Sequence, residues 1–152
     1  MASSRTIVVT GAASGIGAAA CRLLRQDGDM VIGIDIRQPA AGMVDRYVVM
    51  DQSDSASIYT AVSTLPDNID GLMNIAGVPP SPDFSPSVVL KTNFFGLREF
   101  TQKMLGKISQ GGAIVNLTSG AGMGWPQNIP LLQEALAIND MCLVDDFVAR
   151  HE

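Results

Sequence analysis

The chain of 152 residues is poor in lysine, cysteine and histidine, and each shortage argues against a class of protein. Ten basic residues stand against 15 acidic ones, and the net charge of −5 argues against a nucleic-acid-binding surface, which needs clustered Lys and Arg. The two cysteines, Cys21 and Cys142, lack metal-ligand or redox spacing, so we expect no metal and two reduced, packed thiols. The single histidine, His151, has no partner in the sequence, and we expect it to be exposed.

Long hydrophobic runs are absent as well. No run approaches about 18 apolar residues, the length that a membrane-spanning helix requires. A chain with 47% hydrophobic and 16% charged residues has a globular composition, and its length is that of one domain. The first five residues lead directly into an apolar run, which leaves no room for a signal peptide. We therefore expect one cytoplasmic domain with no membrane contact.

The most informative pattern is TGAASGIG at residues 10–17, which lies between a β-branched run at residues 6–9 and a helical pattern. Its three glycines allow a sharp turn after a buried strand, close approach of N–H groups to a phosphate, and tight packing of the next helix. The N-terminus of that helix adds a partial positive charge, so the pattern predicts a dinucleotide-binding turn. The apolar face that we expect this helix to bury consists of Ile16, Ala19, Ala20, Leu23 and Leu24.

Apolar runs alternate with helical patterns along the chain, which predicts βαβ units around a parallel sheet. The predicted fold class is therefore α/β, with a doubly wound parallel sheet. We expect strands at residues 6–9, 30–35, 47–51, 71–75 and 113–118. Helices are expected after the glycine turn, at residues 56–65, at residues 87–108 and, after a flexible loop, at residues 130–150. The long helix at residues 87–108 carries an apolar stripe of Leu90, Phe94, Leu97, Thr101, Met104 and Ile108.

The glycine turn resembles the cofactor loop of the short-chain dehydrogenase/reductase family, and four further signatures follow it in order. Asp35 closes the second strand, Asn74-Ile75-Ala76-Gly77 closes the fourth, Asn93 lies in the next helix, and Ser119 ends the fifth strand. The resemblance covers essentially the whole chain. It implies a Rossmann-type fold, an NAD cofactor, and transfer of a hydride between that cofactor and a secondary alcohol or ketone.

The resemblance also assigns residues to the cofactor. Asp35 is expected to accept hydrogen bonds from the ribose hydroxyls and to repel a 2′-phosphate, which favours NAD over NADP. Arg37 weakens this preference, because its side chain can swing toward such a phosphate. Each carboxylate also has an alternative role that involves no cofactor. Asp35 can cap a turn, and Asp51 can stabilise the turn before a helix. The residues implied to bind the cofactor are Gly11, Ala13, Ser14, Gly15, Ile16, Gly17, Asp35, Ile36, Asp51, Gln52, Asn74, Ala76, Gly77 and Thr118.

Ser119 and Asn93 are the catalytic residues that the resemblance implies. Ser119 would donate a hydrogen bond to the substrate carbonyl, and Asn93 would help to hold a water in the proton relay. The alternatives are a solvated loop serine and a buried asparagine that satisfies a neighbouring carbonyl. The family's Tyr-x-x-x-Lys pair is missing, because neither Tyr47 nor Tyr59 has a lysine four residues later.

The segment after Ser119 resembles the helical insertion of the family's bacterial hydroxysteroid dehydrogenase/carbonyl reductase branch. We therefore expect residues 1–152 to be the N-terminal portion of a longer domain, with a core at residues 1–119 and the insertion at residues 120–152. The resemblance implies a small hydrophobic substrate, such as a steroid or an alicyclic ketone. It also implies a homo-oligomer whose interface includes the helix at residues 87–108, unless the tail covers that surface. A non-catalytic NAD-binding protein and an inert interaction fragment are the alternative hypotheses.

Overall fold

The computed structural model describes residues 4–151, apart from the side chain of Ala121. Five parallel strands form one sheet in the order β3-β2-β1-β4-β5. Val8 of the central strand lies opposite Ile32 on one side and Leu72 on the other. The winding therefore reverses at β1, which confirms the α/β doubly wound prediction. The strands are β1 (Thr6–Thr10), β2 (Met30–Asp35), β3 (Arg46–Val49), β4 (Ile69–Asn74) and β5 (Ile108–Asn116).

Helices connect the strands and cover both faces of the sheet. Asp54 begins the helix after β3, where its carboxylate accepts hydrogen bonds from the N–H groups of Ala56 and Ser57. The α-helices are α1 (Gly15–Gln26), α2 (Ser55–Thr64), α3 (Pro86–Leu90), α4 (Leu97–Met104), α5 (Ile129–Ala137) and α6 (Val144–His151). A π-helix (Lys91–Gly96) joins α3 to α4, and 3₁₀ turns lie at Leu105–Lys107, Gly120–Asn128 and Met141–Leu143.

Two apolar cores lie on opposite faces of the sheet. Val8 of β1 belongs to the larger core, which α2, α4 and α6 cover. Its neighbours Ile7 and Val9 belong to the smaller core, which α1 covers. This alternation follows from the period of two in a β-strand. Cys21 of α1 is fully buried in the smaller core, as predicted, and burial raises the pKa of its thiol to about 11.

The predicted buried face of α1 was only partly right: Leu24 packs against the smaller core, but two other members of the face do not. Ile16 is 63% exposed and Leu23 is 62% exposed, whereas Gly17, Ala18 and Cys21 are buried. The cause is close backbone packing at the start of the helix, where a Cβ on Gly17 would lie 2.0 Å from the carbonyl oxygen of Gly11. The helix therefore turns its smallest residues toward the sheet, and hydrophobic periodicity alone gave the wrong rotation.

The long helix predicted at residues 87–108 is interrupted by the π-helix and ends before Ile108, which begins β5. A π-helix contains more residues per turn than an α-helix, so the stripe of i, i+3 and i+4 residues loses its register there. The side chains that become buried are Phe95, Phe100 and Met104. Of the predicted stripe, Met104 alone is fully buried among the described residues, while Leu90 and Phe94 are half-buried against the core.

Strand β5 forms one edge of the sheet. It begins at Ile108 rather than at residue 113, because Ile108 already pairs with Ile69 of β4. The pairing is then irregular up to Gly71, which pairs with Ala113. Gly111, with a φ of +85°, takes a backbone conformation in this stretch that favours glycine. Near the other end of the strand, Val115 is 49% exposed. Sequence patterning located the regular half of this strand at residues 113–116, but it placed the end of the strand at residue 118 rather than at Asn116.

The tail that follows β5 packs against α3 and the π-helix. The Lys91 ammonium lies 2.7 Å from the carboxylate of Asp145 in α6. The Arg98 guanidinium donates hydrogen bonds to the carbonyls of Leu136 and Ile138 at the end of α5. The buried tail residues are Ala135, Met141, Val144, Phe147 and Val148. The tail therefore covers part of the surface that the sequence predicted for an oligomer interface.

Of the two predictions for single tail residues, that for Cys142 was wrong and that for His151 is confirmed. Cys142 is exposed rather than packed, and a hydrogen bond to Asp140 raises the pKa of its thiol. His151 is exposed, but it has a partner, because its Nε2 lies 3.0 Å from the carboxylate of Glu134. Arg150 binds the same carboxylate at 2.6 Å. Both partners of Glu134 lie in α6, so these contacts depend on how two helices pack, which the sequence pattern does not show.

Candidate functional site

A cleft of about 680 Å³ lies at the carboxyl ends of the central strands. Open parallel sheets bind ligands at this edge, where the winding reverses and the loops on the two sides diverge. The cleft also lies within the range of about 300–1,000 Å³ that is typical of small-molecule sites. The predicted cofactor residues that line it are Gly11, Ser14, Gly15, Ile16, Gly17, Asp35, Ile36, Asp51, Gln52, Ala76 and Gly77.

The remaining predicted site residues are not part of the cleft wall: Ala13, Asn74, Asn93, Thr118 and Ser119. The wall also contains residues that the sequence did not single out. Thr10 belongs to the glycine-turn motif itself, whereas Val78, Phe84 and Thr92 come from the loop after β4 and from the π-helix. No local pattern marks these three residues. Thr92 lies in the π-helix, and Asn93 of the same helix holds Val78.

The glycine turn between β1 and α1 places backbone against backbone. Gly11 and Gly15 have φ values of +73° and +53°, which side chains rarely allow. A Cβ on Gly11 would lie 3.0 Å from the backbone of Ala76, and one on Gly17 would collide with the carbonyl of Gly11. The first N–H groups of α1 have no partner within the helix, and Gly15, Ile16 and Gly17 line the cleft. This end of the cleft therefore suits an anionic group.

Thr10 joins the glycine turn to the end of β4. Its side chain is 1% exposed, and its hydroxyl oxygen accepts hydrogen bonds from the N–H groups of Ile75 and Ala76, each at 3.0 Å. Ile75, Ala76 and Gly77 line the cleft. One buried hydroxyl thus fixes the spacing between two walls of the site.

Asp35 closes β2 beside the glycine turn. Its carboxylate accepts hydrogen bonds from the N–H groups of Ala13 and Arg37, each at 2.9 Å. Asp35 thus lines the cleft, as predicted, and it also stabilises the turn, which is the alternative role. The Arg37 guanidinium reaches the Ser14 hydroxyl at 3.5 Å, so a cation borders the same end of the cleft. Burial, and then the charge of Asp35, raises the pKa of Tyr47, whose hydroxyl donates to the Asp35 carbonyl at 3.2 Å.

Asp51 follows β3 and holds the turn that leads to α2. Its carboxylate accepts hydrogen bonds from the N–H group and the hydroxyl of Ser53, at 2.8 Å and 2.6 Å. Its own N–H group donates to the Ser57 hydroxyl at 2.8 Å. The turn-stabilising role that the sequence left open is therefore present in the structure, and Asp51 also lines the cleft.

Asn74 is buried behind the cleft rather than in its wall. Its Nδ2 donates hydrogen bonds to the Thr101 hydroxyl at 2.9 Å and to Oδ1 of Asn116 at 2.8 Å. Its carbonyl oxygen accepts from the N–H group of Leu117, which extends the pairing of β4 and β5 by one residue. The side chain thus ties together three elements whose loops carry the candidate site.

Asn93 lies in the π-helix and holds the loop after β4. Its Oδ1 accepts a hydrogen bond from the N–H group of Val78, and its Nδ2 donates to the Val78 carbonyl, both at 2.8 Å. A Cβ on Gly77 would lie 3.1 Å from this Oδ1. The alternative prediction was a buried asparagine that satisfies a neighbouring carbonyl. The side chain does bind a neighbouring carbonyl, that of Val78, but it is exposed rather than buried.

Thr118 and Ser119 follow β5 and are exposed. The Ser119 carbonyl accepts a hydrogen bond from the N–H group of Gly122 at 3.1 Å, at the start of the 3₁₀ segment. Leu117, directly before them, lines the cleft. Ser119 therefore lies two residues from the cleft wall along the chain.

The described part of the chain contains neither a metal site nor a helix that could span a membrane. No group of three or more His, Cys, Asp or Glu side chains there has the geometry of a metal site. None of the helices in residues 4–151 combines the length and the apolar character that crossing a bilayer requires.

Known proteins resemble both the sequence and the fold. The pattern of the family described as short chain dehydrogenase matches residues 5–130. A coniferyl-alcohol dehydrogenase of Pseudomonas sp. (strain HR199 / DSM 7063) is 44% identical over 131 residues, covering 86% of this chain and 50% of that protein. A 3-alpha-hydroxysteroid dehydrogenase/carbonyl reductase of Comamonas testosteroni is 28% identical over 130 residues, covering 80% of this chain and 48% of that protein.

The crystal structure of the 3-alpha-hydroxysteroid dehydrogenase from Pseudomonas sp. B-0831 complexed with NADH aligns with a TM-score of 0.78 and 29% sequence identity. The alignment covers 96% of this chain and 57% of that chain. The chain thus spans about half the length of the curated relatives described above. The family predicted from the glycine turn and the later signatures is confirmed: the chain belongs to the short-chain dehydrogenase family.

Proposed function

We propose that the chain binds NAD(H) in the cleft and forms the cofactor-binding part of an oxidoreductase that interconverts a secondary alcohol and a ketone. The observation that carries the proposal is the convergence of three features at one cleft: the glycine turn, the N-terminus of α1, and the carboxylate of Asp35. The NADH complex of the structural relative from Pseudomonas sp. B-0831 supports the same cofactor class.

The residues present fit a dinucleotide. The unpaired N–H groups in the first turn of α1 suit a pyrophosphate, and the glycines at positions 11 and 17 leave no side chain between backbone and ligand. Asp35 suits the adenosine ribose, since an ionised carboxylate accepts hydrogen bonds from hydroxyls. Ala76 and Gly77, held by Thr10, supply a small-residue wall that permits close contact with the ligand.

The same carboxylate argues for NADH over NADPH. A 2′-phosphate beside Asp35 would place like charges close together in a partly dry site, at a cost of about 2 kcal/mol, or about thirtyfold in kcat/KM. Arg37 is near enough to Ser14 to offset part of this cost, which is why we expect a preference rather than an absolute exclusion.

This preference tests the cofactor assignment. We expect the full-length protein to use NADH about thirtyfold more efficiently than NADPH, and Asp35→Ala to narrow that ratio. Asp67→Ala is the matched control. Asp67 precedes β4 and therefore lies at the amino ends of the strands, away from the cleft, where it pairs with Lys107. Equal efficiencies for the two cofactors in the unmodified protein would refute the role of Asp35.

Bound NADH would supply the hydride, and the chain's own residues would bind the substrate carbonyl and support proton transfer to it. We assign to the Ser119 hydroxyl a hydrogen bond to the substrate carbonyl oxygen, which stabilises negative charge as it develops there. We assign to Asn93 the support of a proton relay, since its side chain already fixes Val78 in the cleft wall. The sequence has no Tyr-x-x-x-Lys pair, so the proposal requires a proton donor from outside residues 1–152.

The proposed substrate is a hydrophobic cyclic alcohol or ketone. The name of one relative, a 3-alpha-hydroxysteroid dehydrogenase/carbonyl reductase, supports this substrate class. A non-catalytic NAD-binding protein is the alternative, and it is distinguished by NADH binding without turnover of any such ketone by the full-length protein. The cytoplasmic location and the homo-oligomeric state remain predictions of the sequence.

A further inference from the structure

Gln52, directly after Asp51, connects the cleft wall to the π-helix. Its side chain is 6% exposed, and its Nε2 donates a hydrogen bond to the Thr92 carbonyl at 2.8 Å. The same nitrogen lies 3.5 Å from the Ala76 carbonyl. Its Oε1 is buried and has no hydrogen-bond partner among the described residues. Because solvent does not reach this oxygen, the amide carbonyl is not presented to the cleft.

The unpaired Oε1 makes the presence of an amide here informative. A buried acceptor without a partner costs free energy that an apolar side chain of the same length would avoid. Within this fold, the benefit that offsets that cost is the hydrogen bond from Nε2 to Thr92. The backbone makes a second contact with the same helix, because a Cβ on Gly96 would lie 1.7 Å from the Gln52 carbonyl oxygen.

The π-helix is therefore held from two sides. Gln52 contacts it at Thr92 and Gly96, and the side chain of the intervening Asn93 holds Val78 through two hydrogen bonds. π-Helical segments are rare, and here contacts from outside the helix accompany the segment. Loss of the Thr92 contact would allow this turn to relax, and Asn93 would move away from Val78.

We propose that Gln52 is a positioning residue whose side chain holds the π-helix and thereby keeps Asn93 against Val78. Gln52 lines the cleft, but its amide nitrogen faces the Thr92 and Ala76 carbonyls and its Oε1 is buried, so the proposed effect of the side chain runs through Asn93. This inference rests on the proposed function for its effect on turnover, but the contact itself is independent of turnover.

The test compares Gln52→Met with Ile58→Val in the full-length protein. Methionine has similar length and no donor, whereas Ile58→Val removes a buried methylene from α2 away from the site and serves as the control for lost packing. We expect Gln52→Met to speed amide exchange at Val78 and at residues 92–97 by about tenfold. We also expect kcat to fall about tenfold while the Kd for NADH changes by less than about threefold.

A double-mutant cycle with Asn93→Ala separates positioning from general damage. If Gln52 acts through Asn93, then Gln52→Met costs less than about twofold in kcat once Asn93 is replaced, because the side chain that it positions is gone. Additive losses, or a Kd for NADH that weakens as much as kcat falls, would overturn the inference. Equal losses of kcat in Gln52→Met and in the Ile58→Val control, at equal Tm, would overturn it as well.

Hydrogen exchange keeps the inference separate from the proposed function. If the protein turns over no ketone, the proposed function fails. The inference about Gln52 fails instead if amide hydrogen exchange at Val78 and at residues 92–97 is unchanged in Gln52→Met. If Gln52→Met does not fold, Gln52→Asn replaces it, since the shorter amide cannot reach Thr92 and gives the same expected exchange. Unchanged exchange in Gln52→Asn would likewise refute the inference.

Discussion

Replacement of Thr10 by valine tests how one hydroxyl joins the two walls of the cleft. Valine keeps the shape of threonine but leaves the N–H groups of Ile75 and Ala76 without their acceptor. A buried N–H that loses its partner costs about 1–3 kcal/mol. Since a single oxygen serves both groups, we expect Thr10→Val to lower the free energy of unfolding by about 2–4 kcal/mol.

Two further variants isolate the contribution of the hydroxyl. Thr10→Ser keeps the acceptor and loses one methyl group, at a cost of about 1 kcal/mol. Thr6→Val removes a hydroxyl from the same strand, where it donates only a long contact of 4.0 Å to the sulfur of Met30, and we expect a change below about 0.5 kcal/mol. The matched pair separates the buried acceptor from a general loss of threonine in β1.

Urea unfolding followed by circular dichroism measures the free energies, and NADH titration of the same samples measures the site. Thr10→Val should also weaken NADH binding, since Ala76 and Gly77 line the cleft. If Thr10→Val is no more destabilising than Thr10→Ser, or if it binds NADH as tightly as the unmodified protein, the proposed link between the glycine turn and β4 is wrong.

Three other predictions concern turnover, acid stability and the isolated chain. Ser119→Ala in the full-length protein should lower kcat about a hundredfold with an unchanged Kd for NADH; comparable losses of both would give Ser119 a structural role. The Arg5 side chain, mainly through its hydrogen bond, holds the pKa of Asp29 below the usual 3.8, so stability present above that pH is lost as pH falls through the lower value. Asp29→Asn should flatten this acid limb in urea unfolding, and an unchanged limb would contradict the assignment. Residues 1–152 alone should show no NADH-dependent ketone reduction, because the sequence lacks the Tyr-x-x-x-Lys pair that would donate the proton. Measurable turnover would contradict this and would require a different proton donor.

Local features of the sequence were sufficient to locate the five strands, though not all of their bounds, and the glycine turn. β2 was predicted with its observed bounds, because MVIGID is an uninterrupted apolar run that ends in a carboxylate. The glycine turn was predicted because its three glycines, the strand before it and the helix after it are adjacent in sequence. The positions of Asp35 and Asp51 at the cleft follow from the same logic, since Asp35 ends one parallel strand and Asp51 lies two residues after another.

Features that depend on contacts between distant residues were not predicted from the sequence. The rotation of α1 is set by the contact of Gly17 with Gly11, and it exposes Ile16 rather than burying it. The π-helix is maintained by Gln52, which lies 40 residues from Thr92 along the chain. Helical periodicity assumes a uniform helix and therefore cannot locate such a segment.

The most direct test of the account is a crystal structure of the full-length protein with NADH. We predict that the pyrophosphate accepts hydrogen bonds from N–H groups in the first turn of α1, and that the adenosine ribose hydroxyls donate to Asp35. NADH bound elsewhere, or bound in the cleft with its ribose away from Asp35, would contradict the central claim that this cleft is an NAD(H) site.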